Sequence, residues 1–215
     1  MNEGTRFDLA YETMPWHKVD AVIFDIGNVL IRFAPDDFIR QLFPGDAQKQ
    51  ADMLARVYRG PYWQEFDRGT MTYEQAAQLL VSRFGGEYGD YMHALEGWIE
   101  LKTPLEEGWR AAQRCRRAGK QLYLLSNYPE KGYGRLREKF ASHFGDLFDG
   151  GVISCHVHQI KPQREIYETL IAQCGFDPQR AVFIDDTLAN VEAAMKMGIH
   201  GFHMHESGMM DRFFL

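Results

Sequence analysis

Four short runs of apolar and β-branched residues punctuate the chain, each leading into polar residues: Ala21–Phe24, Leu122–Leu125, Gly151–Ser154 and Val182–Ile184. A fifth run, Gly201–Met204, is weaker. None alternates strictly between apolar and polar, the pattern of strands covered on both faces of a parallel sheet. The stretches between the later runs read as helices. Thr103-Pro104-Leu105-Glu106 has the form of a helix start, with Thr as N-cap, Pro as first helical residue and Glu as capping-box partner. That helix is expected to run to about Arg117, with Gly119 just past its end. Gln163–Cys174 before Gly175, and Leu188–Met197 before Gly198, end by the same logic. Strand and helix alternating over short connections predict right-handed βαβ units. The expected fold is α/β: a doubly wound, mainly parallel, Rossmann-like sheet.

One interval breaks the rhythm. Leu122 lies 98 positions after Phe24, whereas a crossover needs only a dozen or so residues. Roughly 65 to 70 residues are surplus to a simple link. Asp36–Phe43, Gln48–Tyr58, Thr72–Phe84 and Tyr88–Ile99 carry helical periodicity within it, and Thr72 to Gln75 forms a second capping box. The expected organisation is an N-terminal extension over 1–18, a sheet domain over 19–33 and 103–215, and a small helical domain inserted at 34–102.

Composition narrows the function classes. The chain has 215 residues and a formal charge of −6, which argues against nucleic-acid and polybasic membrane surfaces. No stretch approaches the ~20 apolar residues that span a bilayer. The first 18 residues lack the apolar core of a secretory signal. Three cysteines (Cys115, Cys155 and Cys174) without metal-type spacing suit a reduced, cytoplasmic protein, expected to be a monomer or weak dimer.

Ligands of doubly wound sheets bind at the carboxyl ends of the strands. Those ends carry Asp25, Ser126-Asn127 and Asp185-Asp186, and Lys161-Pro162 follows the third run by seven positions. Two acidic positions, a hydroxyl and a lysine on one edge suit phosphoryl transfer. A carboxylate can attack phosphorus to form an aspartyl phosphate. A divalent cation is then needed between carboxylate and phosphate, and hard oxygen ligands point to Mg²⁺. Lysine and serine would hold the phosphoryl oxygens. Three carboxylates against one divalent cation and one lysine leave no local net charge, so the acidic whole does not exclude an anionic substrate.

These segments resemble the motifs of the haloacid dehalogenase (HAD) superfamily, in their order and spacing. AVIFDIGNVL is similar to the first motif, with Asp25 in the nucleophile position; LYLLSN to the second, with Ser126 as phosphate-binding hydroxyl; Lys161-Pro162 to the third; VFIDDTLANVEAA to the fourth, with Asp185 and Asp186 near the metal. The helical insertion resembles the family's first type of cap, which closes over the active site. The resemblance implies a Mg²⁺-dependent phosphatase acting on a small phosphorylated metabolite. It assigns Asp25, Asp185, Asp186 and the Gly27 carbonyl to the metal, and Ser126, Asn127 and Lys161 to the phosphate.

One position departs from the pattern. The family's phosphatases usually carry a second Asp, the general acid and base, where this chain has Gly27. Such a group is typically worth about 10²–10⁴-fold. Asp-x-Gly-Asn-Val-Leu resembles a bacterial sugar-phosphate phosphatase sub-group, some members acting on glucose 1-phosphate. Its expected substrates have good leaving groups: sugar 1-phosphates, acyl phosphates or aryl phosphates. Two alternatives stand. A metal-independent haloacid dehalogenase is disfavoured by the Asp185-Asp186 pair and by the absence of Tyr at position 27. A non-catalytic ligand-binding or regulatory protein is disfavoured by the retention of every other site position.

Further residues carry weaker signals. Asp36 and Asp37 could supply a proton, but acids at a helix start stabilise its dipole anyway. Asn190 is placed to orient Asp186. Arg59, Tyr62 and Tyr128 are candidate substrate contacts, whereas Trp63 and Phe66 read as core of the insertion. His156, His158, His200, His203 and His205 match no common zinc spacing and read mainly as surface residues.

Overall fold

The computed structural model describes residues 16–213. Five parallel strands form one sheet in the order β3-β2-β1-β4-β5: β1 Ala21–Phe24, β2 Gln121–Ser126, β3 Gly150–Ile153, β4 Ala181–Asp185 and β5 His200–His203. All five expected strands are present within a residue or two. Their unbroken apolar runs have a simple cause. Val22, Phe24, Leu122, Leu124, Val182 and Ile184 face one buried cluster, and Ala21, Ile23, Tyr123, Leu125 and Phe183 face another. Both faces of the sheet are covered, so polar alternation has no place.

Chain order reverses at β1. From β1 the chain steps outward to β2 and β3, then returns to lay β4 on the other side of β1. Phe24 pairs in register with Leu124 of β2 and with Ile184 of β4. The residues that follow, Asp25, Ser126 and Asp185, therefore emerge together at the switch point of the sheet, where a crevice forms.

The interval between β1 and β2 is helical. It holds α1 Pro35–Leu42, α2 Ala47–Met53, a π-helical turn Leu54–Tyr58, α3 Tyr62–Asp67, α4 Tyr73–Phe84, α5 Tyr88–Glu96 and a 3₁₀ turn Gly97–Ile99. The Thr72–Gln75 capping box is formed. α3 carries no clear periodicity in so short a span and was not expected. The segments leading into and out of this insertion are tied side by side: Arg32 N donates to Thr103 O at 2.9 Å and Leu105 N to Leu30 O at 2.8 Å. That pairing overturns one expectation. Thr103 does not cap a helix, because its carbonyl serves Arg32 and Pro104 bridges Ile31. The helix α6 begins at Glu106 and runs to Arg117.

In the second half, α7 Glu130–Lys139, α8 Ala141–Phe144, α9 Ser154–Val157, α10 Arg164–Cys174, α11 Leu188–Lys196 and α12 Met209–Phe213 complete the described chain. α10 ends at Gly175, whose φ of 69° gives the left-handed stop the sequence predicts. The proposed extension over 1–18 falls mainly outside the described residues. No described helix is long and apolar enough to cross a membrane.

Candidate active site

The cavity at the switch point, about 220 Å³, is lined by core and insertion together. Its floor comes from the strand ends. Asp25 follows β1 and is 7% exposed. Its Oδ1 accepts from Ile26 N at 2.7 Å and stands 2.9 Å from Lys161 Nζ. Ser126, at the tip of β2, is buried and lines the cavity beside Asp25. Asn127 clamps the lysine loop in both directions: its Nδ2 donates to Lys161 O at 3.0 Å and its Oδ1 accepts from Lys161 N at 2.8 Å.

Lys161 bridges two carboxylates. Its Nζ lies 2.7 Å from Asp185 Oδ2 and donates to Leu125 O at 3.1 Å. Burial works against the ammonium, but the charges of Asp185 and Asp25 outweigh it and raise its pKa. For Asp25 the dominant effect is burial, which pushes the carboxyl up, while Lys161 pulls it back.

The adjacent acids Asp185 and Asp186 have different surroundings. Asp185 is fully buried. Its oxygens accept from Lys161 Nζ, Thr187 N at 2.8 Å and Asn190 Nδ2 at 3.0 and 3.1 Å. Asn190 thus orients Asp185, not Asp186. Asp186 turns into the cavity and accepts from Asn28 Nδ2 at 2.9 Å. Burial, followed by the charge of Asp25, raises its pKa.

One carboxylate oxygen from each of Asp25, Asp185 and Asp186 lies within 4.8 Å of the other two. A set of hard oxygen donors that repel one another at this spacing suits a divalent cation of the Mg²⁺ type. Asp25 and Asp186, both lining the cavity, have the freer oxygens, and Gly27 lines it beside them.

Asn28 is a site residue that sequence reading passed over. It holds a left-handed backbone at φ 50°, which Asn tolerates. While Nδ2 holds Asp186, its Oδ1 accepts from Phe33 N at 2.9 Å. One side chain thereby links the cavity-facing acid to the residue just before the insertion.

The roof is aromatic, with Trp63 and Trp98 from the insertion and Phe33 and Tyr128 from the core. Phe33, Trp63, Trp98 and Tyr128 line the cavity. Ring centroids are 5.5 Å apart for Phe33–Trp98, 5.8 Å for Trp63–Trp98 and 5.5 Å for Trp98–Tyr128. Phe66 is buried in the insertion core, as expected, but Trp63 also reaches the cavity. Tyr128 Oη is buried and has no hydrogen-bond partner among the described residues. Two charged groups hang from this roof, Asp67 and Lys102, each less than 10% exposed. Lys102 Nζ sits over Phe33 at 4.3 Å and Trp98 at 4.6 Å. Burial pushes the Lys102 ammonium down to about 7 and the Asp67 carboxyl up to about 8. Neither residue belongs to a recognisable pattern in the sequence.

Other expected contacts lie elsewhere. Arg59 pairs with Asp36 at 2.8 Å, Tyr62 lies beside Arg83, and neither is among the residues lining the cavity. Asp37 is engaged by Arg32 and Arg40, so neither acid of α1 reaches the site. The histidines divide. His200, His203 and His205 contact backbone carbonyls of Gln179, Asp186 and His203. His156 stands with Glu130 and Cys155, their ligand atoms within 4.8 Å.

Known proteins resemble this chain over most of its length. A sesquiterpene phosphatase of Aspergillus oryzae is 27% identical over 188 residues, covering 87% of this chain and 90% of its own. N-acetylmuramic acid 6-phosphate phosphatase of Pseudomonas aeruginosa is 26% identical over 196 residues, covering 84% and 79%. In fold, the chain resembles a HAD-family enzyme of Bacteroides thetaiotaomicron seen with magnesium and inorganic phosphate. That likeness has a TM-score of 0.71 at 17% identity and covers 92% of this chain and 100% of the other. Residues 19–198 match the haloacid dehalogenase-like hydrolase family as a whole. With that span, the chain belongs to the haloacid dehalogenase-like hydrolases.

Proposed function

We propose that this hydrolase is a Mg²⁺-dependent phosphatase of small phosphorylated metabolites, working through a phosphorylated Asp25. The observation that carries the reading is the buried constellation of Asp25, Lys161 and Asp185 beside a cavity-facing Asp186. Asp25 attacks phosphorus. Ser126 and Lys161 receive the phosphoryl oxygens, and Asn127 fixes the lysine loop that delivers Lys161. Asp25, Asp186 and the Gly27 carbonyl would hold the cation. Bound there, it supplies the positive charge that lets a phosphate approach a carboxylate. Asp185 holds Lys161 in place, its oxygens being engaged by Lys161, Asn190 and Thr187.

The roof gives a first idea of the alcohol released. Four aromatic rings offer apolar faces, the Tyr128 hydroxyl offers one hydrogen bond, and Lys102 offers one positive charge. The relatives named above act on a sesquiterpene and an amino-sugar phosphate, and a flavin mononucleotide hydrolase of Arabidopsis thaliana is 25% identical over 193 residues. Phosphate esters with an apolar face are therefore the first substrates to try. Sugar phosphates, glucose 1-phosphate among them, form a second arm of the panel.

The test is a Mg²⁺ phosphatase screen over terpenyl, flavin, sugar and aryl phosphates, with Asp25→Asn as the blank. Turnover that vanishes in the blank and with chelator is expected. Turnover that survives either treatment overturns the mechanism, and halide release without added Mg²⁺ would make the chain a dehalogenase.

A further inference from the structure

The glycine at position 27 leaves the site without its usual proton carrier, yet the space is not filled. A Cβ built on Gly27 would meet only Asp25 Oδ2, 3.9 Å away, and nothing else within 4 Å. Across the same cavity stands Asp67, at the end of α3. Its position is built, not incidental. The Asp67 carbonyl accepts a hydrogen bond from the Ser154 hydroxyl at 2.5 Å, and that hydroxyl accepts from Tyr128 N at 2.8 Å. Next in sequence, Arg68 Nη1 reaches Gln163 Oε1 at 3.1 Å, and Arg68 O lies 3.0 Å from His158 Nδ1. Gly69 then passes so close to α9 that an added Cβ would lie 2.9 Å from Cys155 O. Two residues of the insertion are thus bonded to the core and a third packs closely on it, and Asp67 lines the cavity.

We propose that Asp67 is the proton-transfer group of this site, giving a proton to the departing alcohol and taking one from the attacking water. The proposal rests on the phosphatase reading. In the first step, Asp25 Oδ bonds to phosphorus, the phosphorus–oxygen bond to the alcohol breaks, and the Asp67 proton passes to that oxygen. The products are a free alcohol, an aspartyl phosphate and an Asp67 carboxylate. In the second step, water bonds to phosphorus, the bond to Asp25 breaks, and the Asp67 carboxylate accepts the water proton. Phosphate leaves and both acids return to their starting states.

The surroundings suit a carboxyl protonated at neutral pH. Burial dominates its environment. The charged groups facing it are Lys161 and Asp25 from the core and Lys102 from the far end of the insertion, and Trp63 lines the same cavity. Tyr73, Tyr128 and Cys155 also feel its charge. Lys102 is the other charged group in the roof. Its ammonium is held over two aromatic rings, and an arriving phosphate dianion would keep it charged, so it serves as a fixed cation.

The experiment compares kcat/KM for an aryl phosphate and an alkyl phosphate in wild type, Asp67→Asn and Asp67→Ser. That ratio reports phosphorylation of Asp25 and is blind to the later hydrolysis. An aryl alcohol leaves without help, so its kcat/KM should stay within about threefold. The alkyl ester should lose about 10²–10⁴-fold. The alkaline fall of the alkyl profile, near pH 8 in wild type, should vanish in both variants. Gly27→Asp added to Asp67→Asn should recover alkyl turnover, and Lys102→Met should slow both substrates alike. Equal losses on aryl and alkyl esters in folded Asp67 variants, or no loss on the alkyl ester, would overturn the proposal. A wild type that hydrolyses no phosphate ester at all overturns the phosphatase reading and this proposal with it. The expected selective loss on the alkyl ester reverses the expectation drawn from Gly27: the restriction to good leaving groups becomes a property of the variants, and the wild type accepts ordinary alkyl esters.

Discussion

Lys161 Nζ stands 2.7 Å from Asp185 Oδ2, with the two side chains 2% and 0% exposed. Asp25 joins this pair on the other side of the ammonium at 2.9 Å. An ion pair so placed is hard to justify as a stabilising device, because burying both charges costs about what their attraction returns. Removing one partner, however, leaves the others uncompensated.

Lys161→Met should therefore do two things. It should lower unfolding free energy by about 3–5 kcal/mol, measured by urea denaturation, because two buried carboxylates lose their common cation. Added Mg²⁺ should raise the variant's melting temperature more than that of wild type, since a divalent ion can take the missing charge's place. Equal Mg²⁺ shifts in the two proteins would count against the carboxylates forming a cation site.

Asp186 and Asn28 can be separated from the nucleophile by a binding measurement. Asn28→Gly keeps the left-handed backbone accessible but removes the hydrogen bond that aims Asp186. Weaker Mg²⁺ binding by about 10–100-fold is expected, read by calorimetry. Asp186→Asn should weaken it further. Unchanged affinity in both would move the cation elsewhere.

The raised pKa of Asp67 has a stability consequence whose sign is definite. A carboxyl that titrates near 8 when folded and near 4 when unfolded binds its proton more tightly in the folded state. Folding is penalised once the unfolded chain begins to ionise, so the penalty is absent below about pH 4. It grows as pH rises and is complete above about pH 8. Asp67→Asn removes it. The variant should melt at a higher temperature than wild type at pH 8 and at the same temperature near pH 4. A lower melting temperature at pH 8 would show that Asp67 is held as a charged group.

Packing beneath the site offers a control of another kind. Gly108 of α6 lies against the turn that follows Asp25, and a Cβ there would sit 2.0 Å from Val29 O. Gly108→Ala cannot be accommodated by rotating a side chain, because the clash is with backbone. A loss of more than about 2 kcal/mol in unfolding free energy is expected, with activity falling as the loop carrying Asp25 to Leu30 shifts. Gly119→Ala, at the exposed end of the same helix, has nothing within 4 Å, and its φ of 75° makes strain its only cost, about 1 kcal/mol.

Much of the molecule was legible from residues alone, and the reason is local. Strands covered on both faces have to be apolar throughout, so AVIF, LYLL and VFI announce themselves, and the residue that follows each lies at a strand end by necessity. Asp25, Ser126, Asn127, Lys161 and the Asp185-Asp186 pair could be grouped because parallel strands bring all their carboxyl ends to one edge. The insertion showed itself by the 98 positions that separate Phe24 from Leu122. The Thr72 capping box formed because its two partners lie within one helical turn.

What the sequence could not decide depended on surfaces meeting from distant parts of the chain. Thr103 had the right neighbours for a helix cap, but Ile31 and Arg32 claimed the backbone around it. Asn190 is near Asp186 in sequence, and the fold turned it to Asp185. Arg59 and Tyr62 looked suited to a substrate, but the packing of the insertion gave them to Asp36 and Arg83. Asp67, Lys102, Phe33 and Trp98 carry no pattern at all. They matter because the insertion folds back over the sheet edge and is pinned there through Ser154, Arg68 and Gly69. Local chemistry was enough to place the floor of the site, because neighbouring strands repeat one geometry. The roof required tertiary structure, because which face of a helix meets a cavity is set by everything the helix packs against.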